Sequence, residues 1–318
     1  MVNYIIVYTK QGLYKFDIQQ VFKTKLNLML EGWYCSTIHS HMSILMNNQV
    51  ISSSCRNFIL CEDIFDQSSP FDVPEKLICQ QKMGCHCESD INVPKAIDFE
   101  TCEDMLNEIM TVRNHRDLPE FQGDVKEIIG MTTWYYAVHN LVHIVYGLGK
   151  KCNFDCSYCE PHTHDNFSPF KTYDELMGAL VRVEENVNLG GRNKKITLTG
   201  GEPTLFKEII PFSLELLDKG YEVYITTNGT ASYKTYDTLL SNGIIIEVTF
   251  HPEFTTGKII KKIEKLREKY FFNVKSMDYD NPQYQQAIKD KYRFFDDVQH
   301  KVIIDKVTEN ENTVSTIW

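Results

Sequence analysis

The chain has 318 residues, 42% of them hydrophobic, so it can fill a sizeable core in one large domain or two of ordinary size. Its formal net charge of -10 disfavours an extended nucleic-acid surface and a polybasic membrane anchor. No apolar run approaches the ~20 residues that a membrane span needs, and the amino terminus lacks the pattern of a secretory signal. We therefore expect a cytoplasmic protein with no membrane partner.

Residues 1–100 combine short β-like runs, polar turns and irregularly spaced cysteines. Asn3–Tyr8, Ser43–Leu45 and Val50–Ser52 are the predicted strands. Disulfides are rare in a reducing compartment, so closely spaced cysteines there indicate a metal site or catalysis. The pattern predicts a small, β-rich, metal-supported domain. Residues 101–137, with a predicted helix at Glu103–Val112 and a polar stretch, form the predicted linker.

Residues 138–318 alternate short apolar runs with helical segments, as βα units of a parallel sheet do. The first helix has a T-x-x-E capping box at Thr172 and Glu175. The helix predicted from about Thr255 to Tyr270 has a lysine-rich face that we expect to be solvated. The six predicted strands are Val142–Tyr146, Lys195–Thr199, Tyr221–Thr226, Ile244–Phe250, Phe271–Met277 and Lys301–Val307.

Three cysteines follow the first of these strands in the run CNFDCSYC. Cys152, Cys156 and Cys159 have the spacing C-x3-C-x2-C, which allows their thiolates to converge from one loop at the carboxyl end of a parallel strand. Three cysteines cannot satisfy the four irons of a [4Fe-4S] cluster, and a zinc site normally has a fourth protein ligand. Buried thiols and zinc binding remain the alternatives at this point.

Polar or glycine-rich segments also end the next three strands: LTGGEP, TTNG and TFHPEF. Glycines at a strand end allow close backbone approach, and a carboxylate there can meet a cationic ligand group. Polar side chains at such positions are typical of a ligand-lined mouth. His251 could instead be a structural histidine.

Taken together, these motifs resemble the radical S-adenosylmethionine (SAM) superfamily, whose three-cysteine loop leaves one iron of a [4Fe-4S] cluster open for the cofactor SAM. The resemblance implies a partial (β/α)6 TIM-type barrel. It also implies that the GGEP segment hydrogen-bonds the methionyl ammonium, and that other side chains lie near the adenine, the ribose or the substrate. The residues expected to contact SAM are Tyr158, Gly200, Gly201, Glu202, Thr226, Asn228, Thr249 and His251.

The resemblance implies reductive cleavage of SAM. An electron enters the cluster from a donor such as flavodoxin or ferredoxin, and a 5′-deoxyadenosyl radical takes a hydrogen atom from the substrate. The protein places that radical and excludes competing reactions. No residue is assigned as catalytic.

The early cysteines resemble the twitch or SPASM-type auxiliary domains of the same superfamily, which hold a second [4Fe-4S] cluster. Asn47-Asn48 would form the hairpin turn. The family usually places this domain after the barrel, and five cysteines here compete for four positions. The alternative is a zinc site on Cys79, Cys85 and Cys87 with a fourth residue. Cys61 is an outside candidate, and Cys102 is expected to be a small packed residue. The candidate ligands are Cys35, Cys55, Cys79, Cys85 and Cys87.

The substrate is expected to be a peptide or protein, because auxiliary-cluster relatives often modify peptides. The alternative is a nucleotide or DNA base in a phage hypermodification pathway, since the frequent Asn, Ile, Lys and Tyr fit an AT-rich genome. The acidic charge permits a small or flipped-out base. A non-catalytic Fe–S protein is the third hypothesis, and the GGEP segment argues against it.

Overall fold

The computed structural model divides into two compact units. The first comprises Met1–Ile144 and Ala179–Lys194, and the second Val145–Gly178 and Lys195–Trp318. The division at 1–100, 101–137 and 138–318 stays a prediction, and the segment 101–137 belongs to the first unit. The residues that the structure describes are 4–52, 58–80, 85, 91–159, 164–187, 189, 191–279, 290 and 299–303.

The first unit contains a five-stranded sheet in the order β2-β1-β8-β7-β3, in which all neighbouring strands are antiparallel. Strand β1 is buried on both faces: Ile5 and Val7 enter one apolar cluster, and Ile6 enters another. This alternation follows from the two-residue period of a strand. The strands of this unit are β1 (Tyr4–Thr9), β2 (Gly12–Asp17), β3 (Tyr34–Cys35), β4 (His41–Ile44), β5 (Val50–Ile51), β6 (Ile59–Cys61), β7 (Lys95–Ala96) and β8 (Gly130–Thr132).

Strands β4, β5 and β6 form two consecutive antiparallel pairs. The turn between β4 and β5 contains Asn48, whose φ of 74° is left-handed, and its amide donates to the Leu45 carbonyl (3.0 Å). The asparagine hairpin turn is therefore confirmed, because asparagine tolerates this conformation better than most residues.

Helix α3 packs Cys102, Met105 and Ile109 into the core of the first unit. It begins four residues before the predicted start because Asp98 accepts a hydrogen bond from the Thr101 amide (2.7 Å) and caps the helix. The helices of this unit are α1 (Ile18–Lys23), α2 (Thr37–Ser40), α3 (Phe99–Thr111) and α4 (Trp134–His139), with single 3-10 turns at Leu26–Leu28, His115–Asp117 and Val125–Glu127.

Arg182 orders an irregular loop of the first unit. The residue is 8% exposed, and its guanidinium donates to the carbonyls of Asp63 (3.2 Å), Ile64 (2.9 Å), Asp66 (2.6 Å) and Ser69. One side chain thus satisfies four carbonyl groups that no strand or helix pairs.

From residue 141 onward the chain follows the predicted β/α alternation, and all six predicted strands are present with ends shifted by a few residues. Their order is β9-β10-β11-β12-β13-β14, and the pairs from β11 to β14 are parallel. Residues 304–307 of the last predicted strand lie outside the described residues. The strands are β9 (Leu141–Gly147), β10 (Asn193–Thr199), β11 (Tyr221–Thr227), β12 (Ile245–Phe250), β13 (Asn273–Tyr279) and β14 (Gln299–Ile303).

The helices between these strands begin and end where local signals predict. The capping box of α5 is confirmed: the Thr172 amide donates to the Glu175 carboxylate (2.8 Å), and the Glu175 amide donates to Thr172 Oγ1 (3.3 Å). Helix α8 buries Ile259, Ile263 and Leu266 and turns most of its lysines outward. The helices are α5 (Tyr173–Asn186), α6 (Ile209–Asp218), α7 (Tyr233–Ser241) and α8 (Gly257–Arg267), with a 3-10 turn at Pro203–Leu205.

This arrangement is an α/β fold whose parallel strands end at one edge. Within the described ranges, no helix is long and apolar enough to cross a membrane.

Candidate active site

The three cysteines of the central motif lie on the loop that follows β9. Cys152, Cys156 and Cys159 form no disulfide, and burial raises the pKa of Cys156 to about 12 and raises that of Cys152 as well. The Cys159 amide donates to the Cys156 carbonyl (3.0 Å), and the Phe154 amide lies 3.4 Å from Cys152 Sγ. One short segment therefore carries all three cysteines, and the Phe154 amide is directed at the sulfur of one of them, Cys152.

The start of this loop is held by the glycines that follow β10. The amide of Gly201 donates to the Gly149 carbonyl (2.9 Å), and that of Glu202 donates to the Lys151 carbonyl (2.8 Å). A Cβ on Gly200 would lie 2.4 Å from the Gly149 oxygen. Because this contact is with backbone, no rotamer change could relieve it, and the turn requires glycine.

A second connection joins Cys152 to a turn further along the chain. Its amide donates to the Asp165 carbonyl, and the Asp165 amide donates to the Lys150 carbonyl (both 2.9 Å). The Asp165 carboxylate accepts from the amides of Phe167 (2.8 Å) and Ser168, which makes a local turn. Residues 160–163 lie outside the described residues.

The end of β11 holds the second residue of the motif, Asn153. The Asn228 amide group donates to Asn153 Oδ1 (2.8 Å), and Asn153 Nδ2 donates to Thr230 Oγ1 (3.0 Å). Asn228 is 4% exposed and is itself fixed by hydrogen bonds from Thr230 to its Oδ1. The TTNG segment therefore contacts the cysteine loop directly.

Glu202 links the ends of β10 and β11 from a fully buried position. Its Oε1 accepts from the Thr204 amide (3.0 Å), the Thr204 hydroxyl (2.5 Å) and the Thr227 hydroxyl (2.7 Å), and its Oε2 accepts from the Asn228 amide (2.7 Å). Burial raises the pKa of this carboxyl, while the hydrogen bonds act in the opposite direction. Both carboxylate oxygens of Glu202 therefore already accept hydrogen bonds from other residues of the protein.

Thr226 and Thr249 occupy neighbouring strand ends. The Thr226 hydroxyl donates to Thr199 Oγ1 (3.0 Å), and Thr249 is 5% exposed on β12, two residues before His251. Strand β12 ends at Phe250, so His251 is the first residue after it.

The segment after β12 contacts the middle of the cysteine loop. His251 Nδ1 lies 3.5 Å from Cys156 Sγ, and the Glu253 carboxylate accepts hydrogen bonds from the Ser157 amide (2.9 Å) and hydroxyl. The ring of Phe154 stacks on Phe254 with centroids 5.1 Å apart. The strand ends of β10, β11 and β12 therefore hold successive parts of one loop.

Tyr158 lies on the same side as His251. Their rings are parallel with centroids 6.0 Å apart, and the tyrosine hydroxyl is within hydrogen-bonding distance of His251 Nδ1. Burial lowers the pKa of His251 to about 4, so the imidazole is neutral at physiological pH and has one N–H and one lone pair.

The contacts made by Asn153, Thr227 and Glu253 were missing from the sequence prediction. Glu253 stands inside TFHPEF, and a carboxylate three residues after a strand end was a signal that could have suggested a contact with the loop. Asn153 gave no signal, because its partners lie 75 and 77 positions away.

The donor set fits the cluster that the motif implies. Three cysteine thiolates can bind three irons of a [4Fe-4S] cluster and leave the fourth iron open. A mononuclear zinc site normally has a fourth protein ligand. Among the described residues, no group of three or more His, Cys, Asp or Glu side chains has the geometry to hold a single metal ion.

The early cysteines are only partly described. Cys35 and Cys79 lie on adjacent segments: the Cys79 amide donates to the Trp33 carbonyl (2.8 Å), and the Cys35 amide donates to the Leu77 carbonyl (2.9 Å). This antiparallel register puts the two cysteines diagonally on the same face, where Cβ atoms are about 7 Å apart. Cys55 and Cys87 lie outside the described residues.

Three other cysteines of the first unit have defined surroundings. Cys85 packs against the apolar cluster that contains Trp33, and its amide donates to the Asn27 carbonyl (2.9 Å). Cys61 is buried with its sulfur 3.6 Å from the Ser69 hydroxyl oxygen. Cys102, on the buried side of α3, is 2% exposed, and burial raises its pKa to about 12.

The fold and the site define an α/β domain with a three-cysteine loop at the carboxyl ends of its strands. Residues 146–294 match the model of the radical SAM superfamily, so this part of the chain is a radical SAM domain, and the proteins of this superfamily are enzymes.

Individual relatives match shorter parts of the chain. The probable GTP 3′,8-cyclase of Pyrococcus horikoshii is 34% identical over 97 residues, which is 30% of each chain. The 7-carboxy-7-deazaguanine synthase of Thermoplasma acidophilum is 27% identical over 128 residues, 39% of this chain and 56% of the relative. The structure of Streptococcus suis SuiB bound to the precursor peptide SuiA aligns with 61% of this chain and 47% of its own, with 16% identity and a TM-score of 0.38.

Proposed function

We propose that this chain is a radical SAM enzyme that binds a [4Fe-4S] cluster through Cys152, Cys156 and Cys159 and cleaves SAM reductively. The observation that supports this most is the attachment of the cysteine loop to the ends of β10, β11 and β12. The bound cluster and SAM would supply a 5′-deoxyadenosyl radical that takes a hydrogen atom from the substrate. The chain's own contribution is to hold three thiols in fixed positions and to shield them from solvent.

The SAM contacts carried over from the family are part of this proposal. Gly200 and Gly201 are supported by their position against the start of the cysteine loop, and Asn228 by its contact with Asn153. The buried Glu202 carboxylate favours an indirect role, through the segments it joins. Tyr158, Thr226, Thr249 and His251 remain the other proposed contacts.

The partial (β/α)6 barrel, the cytoplasmic location and a flavodoxin or ferredoxin as electron donor also belong to the proposal. The barrel is supported by the order of β9 to β14 and by the parallel pairs from β11 to β14. An external donor is needed because reductive cleavage consumes an electron that SAM itself does not provide.

For the substrate class, we propose a purine nucleotide. The supporting observation is that the named relatives include GTP 3′,8-cyclases and a 7-carboxy-7-deazaguanine synthase. These matches reach only part of each relative. A peptide, predicted from the auxiliary cysteines, is the alternative substrate.

An auxiliary [4Fe-4S] cluster in the first unit is the remaining proposal. It is supported by the shared face of Cys35 and Cys79 and by the packing of Cys85 against the apolar cluster that includes Trp33. Zinc on Cys79, Cys85 and Cys87 is the alternative. Iron and zinc analysis of a Cys85→Ala variant distinguishes them, because only a second cluster predicts a loss of iron.

The experiment that tests the enzyme proposal is anaerobic reconstitution with iron and sulfide, followed by reduction with dithionite in the presence of SAM. We expect 5′-deoxyadenosine from the wild type and none from Cys156→Ala. Cys102→Ala is the matched control, since it removes a buried thiol from the first unit and should keep the product. If the wild type takes up the cluster and forms no 5′-deoxyadenosine, the proposal is wrong.

The substrate class is tested by adding GTP to the reconstituted enzyme. A substrate that donates a hydrogen atom should increase the rate of 5′-deoxyadenosine formation and give a modified nucleotide detectable by mass spectrometry. If GTP, GDP and guanosine all leave the rate unchanged, the nucleotide proposal fails while the enzyme proposal stands.

A further inference from the structure

The His251 side chain is held in a fixed position at the end of β12. Its amide donates to Thr255 Oγ1 (2.8 Å), and its carbonyl accepts from the amides of Phe254 (2.9 Å) and Thr255 (2.7 Å). A second aromatic contact comes from Phe154, whose ring centroid lies 5.7 Å from the imidazole centroid. The turn and the neighbouring ring together limit the rotation of the imidazole.

The imidazole reaches one of the three proposed cluster ligands. Nδ1 lies 3.5 Å from Cys156 Sγ, within the range of a hydrogen bond to sulfur. In the free thiol the S–H group can donate to Nδ1. As a metal ligand the sulfur is a thiolate and can only accept, so Nδ1 must then carry the hydrogen.

We propose that His251 is a positioning residue that donates its Nδ1–H to the ligand sulfur of Cys156 and thereby raises the reduction potential of the cluster. Hydrogen bonds to cluster sulfurs are among the factors that set this potential, because they withdraw electron density and stabilise the reduced state. The proposal rests on the proposed function, in which an electron must enter this cluster. It assigns Nδ1 of His251 to the cysteine loop, in addition to the SAM contact proposed above for this residue.

Two neighbouring contacts are compatible with this role. The Tyr158 hydroxyl, which also lies near Nδ1, can rotate to accept from the same N–H or to donate elsewhere. The Phe154 amide lies 3.4 Å from Cys152 Sγ, so a second ligand sulfur has a backbone donor of its own. Two ligand sulfurs would thus each accept a hydrogen bond: Cys156 Sγ from the His251 side chain and Cys152 Sγ from the Phe154 backbone amide.

The test is a redox titration of the anaerobically reconstituted protein, followed by electron paramagnetic resonance of the reduced cluster. We expect the midpoint potential of His251→Leu to be more negative than that of the wild type. His251→Gln keeps an N–H donor and should lie between the two. Phe254→Leu is the matched control, because it loosens the packing on Phe154 without removing a donor and should keep the wild-type potential.

The outcomes separate this inference from the proposed function. If His251→Leu has the wild-type potential, or if Phe254→Leu shifts it equally, the hydrogen-bond role is wrong and the enzyme proposal is unaffected. If the wild type takes up no iron and sulfide on the three cysteines, both are wrong.

A measurement on the wild type keeps the inference testable if the His251 variants do not hold the cluster. Protein labelled with ¹⁵N only in histidine should show a ¹⁵N coupling to the reduced cluster in pulsed electron paramagnetic resonance without added SAM. His164→Gln, which removes the histidine paired with Asp155, should keep this coupling. A labelled sample with a reduced cluster and no ¹⁵N coupling would overturn the inference.

Discussion

Replacing Gly201 by alanine should break the connection between the end of β10 and the cysteine loop. A Cβ at this position would lie 2.4 Å from both the Lys150 and the Lys151 carbonyl oxygens, whereas real Cβ contacts essentially never fall below 3.0 Å. Both carbonyls would have to withdraw. Each accepts a hydrogen bond, from the Asp165 and Glu202 amides respectively, so both bonds would weaken.

The expected cost follows from these two effects. Overpacking against atoms that cannot rotate away costs about 1–3 kcal/mol. Each weakened backbone hydrogen bond costs about 0.5–1.5 kcal/mol. We therefore expect Gly201→Ala to lower the free energy of unfolding by about 4 kcal/mol, roughly a thousandfold in the unfolding equilibrium.

Urea unfolding followed by circular dichroism measures this loss, with Gly178→Ala as the matched control. Gly178 lies in α5, and a Cβ there would meet no atom within 4 Å. The control substitution should stabilise the chain by about 0.5–1 kcal/mol, since alanine favours a helix interior. If Gly201→Ala unfolds at the same urea concentration as the wild type, the backbone contact does not constrain this position and the reasoning is refuted.

Three further predictions concern a helix cap, a buried cation and the cysteine loop. Thr172→Ala should cost about 1 kcal/mol of unfolding free energy at neutral pH. Because hydrogen bonds from Thr172 hold the pKa of Glu175 below its usual 4.5, that difference should shrink as the pH falls through the lowered pKa of the folded state, measured by urea unfolding at several pH values. Arg182→Met should cost about 3 kcal/mol by the same assay, because it removes a charged donor from four buried or partly buried carbonyls, of which that of Asp66 keeps a second donor in the Ser69 amide. Ser157→Ala removes one of two hydrogen bonds to Glu253 and should speed the loss of iron to a chelator several-fold.

Controls for these variants come from exposed positions. Arg113→Met should change the unfolding free energy by no more than about 0.5 kcal/mol, because the arginine is exposed. Ser241→Ala, in α7, should leave the rate of iron loss unchanged. The Arg182 prediction is contradicted if Arg182→Met and Arg113→Met have equal effects. The Thr172 prediction is contradicted if the effect of Thr172→Ala grows at low pH. The Ser157 prediction is contradicted if Ser157→Ala loses iron at the wild-type rate.

The second unit could be predicted well from the sequence because its strands are short apolar runs separated by helices with clear periodicity. The capping box at Thr172 and Glu175 predicted where α5 begins. The first unit was harder to predict: β7 at Lys95–Ala96 has two residues and no alternation, and it buries a lysine whose ammonium donates to the Val93 carbonyl (3.3 Å). The hydrophobic pattern of the sequence therefore did not predict a strand at Lys95–Ala96.

The cysteines of the candidate site were predictable, whereas the contacts that hold them were not. The spacing of Cys152, Cys156 and Cys159 is a local property of the chain. The hydrogen bonds between Ser157 and Glu253 and between Asn228 and Asn153 join residues that are 96 and 75 positions apart. No local sequence pattern links partners at such distances. Only the folded arrangement of β10, β11 and β12 brings these partners together.

The attachment of the cysteine loop to three strand ends limits how this part of the chain can be rebuilt. A designer who copied only CNFDCSYC into another scaffold would leave behind partners of each of its first seven residues. The smallest transferable piece runs from the end of β9 to Thr255. We expect transplanted loops to keep their cysteines near one another only when that whole piece moves with them.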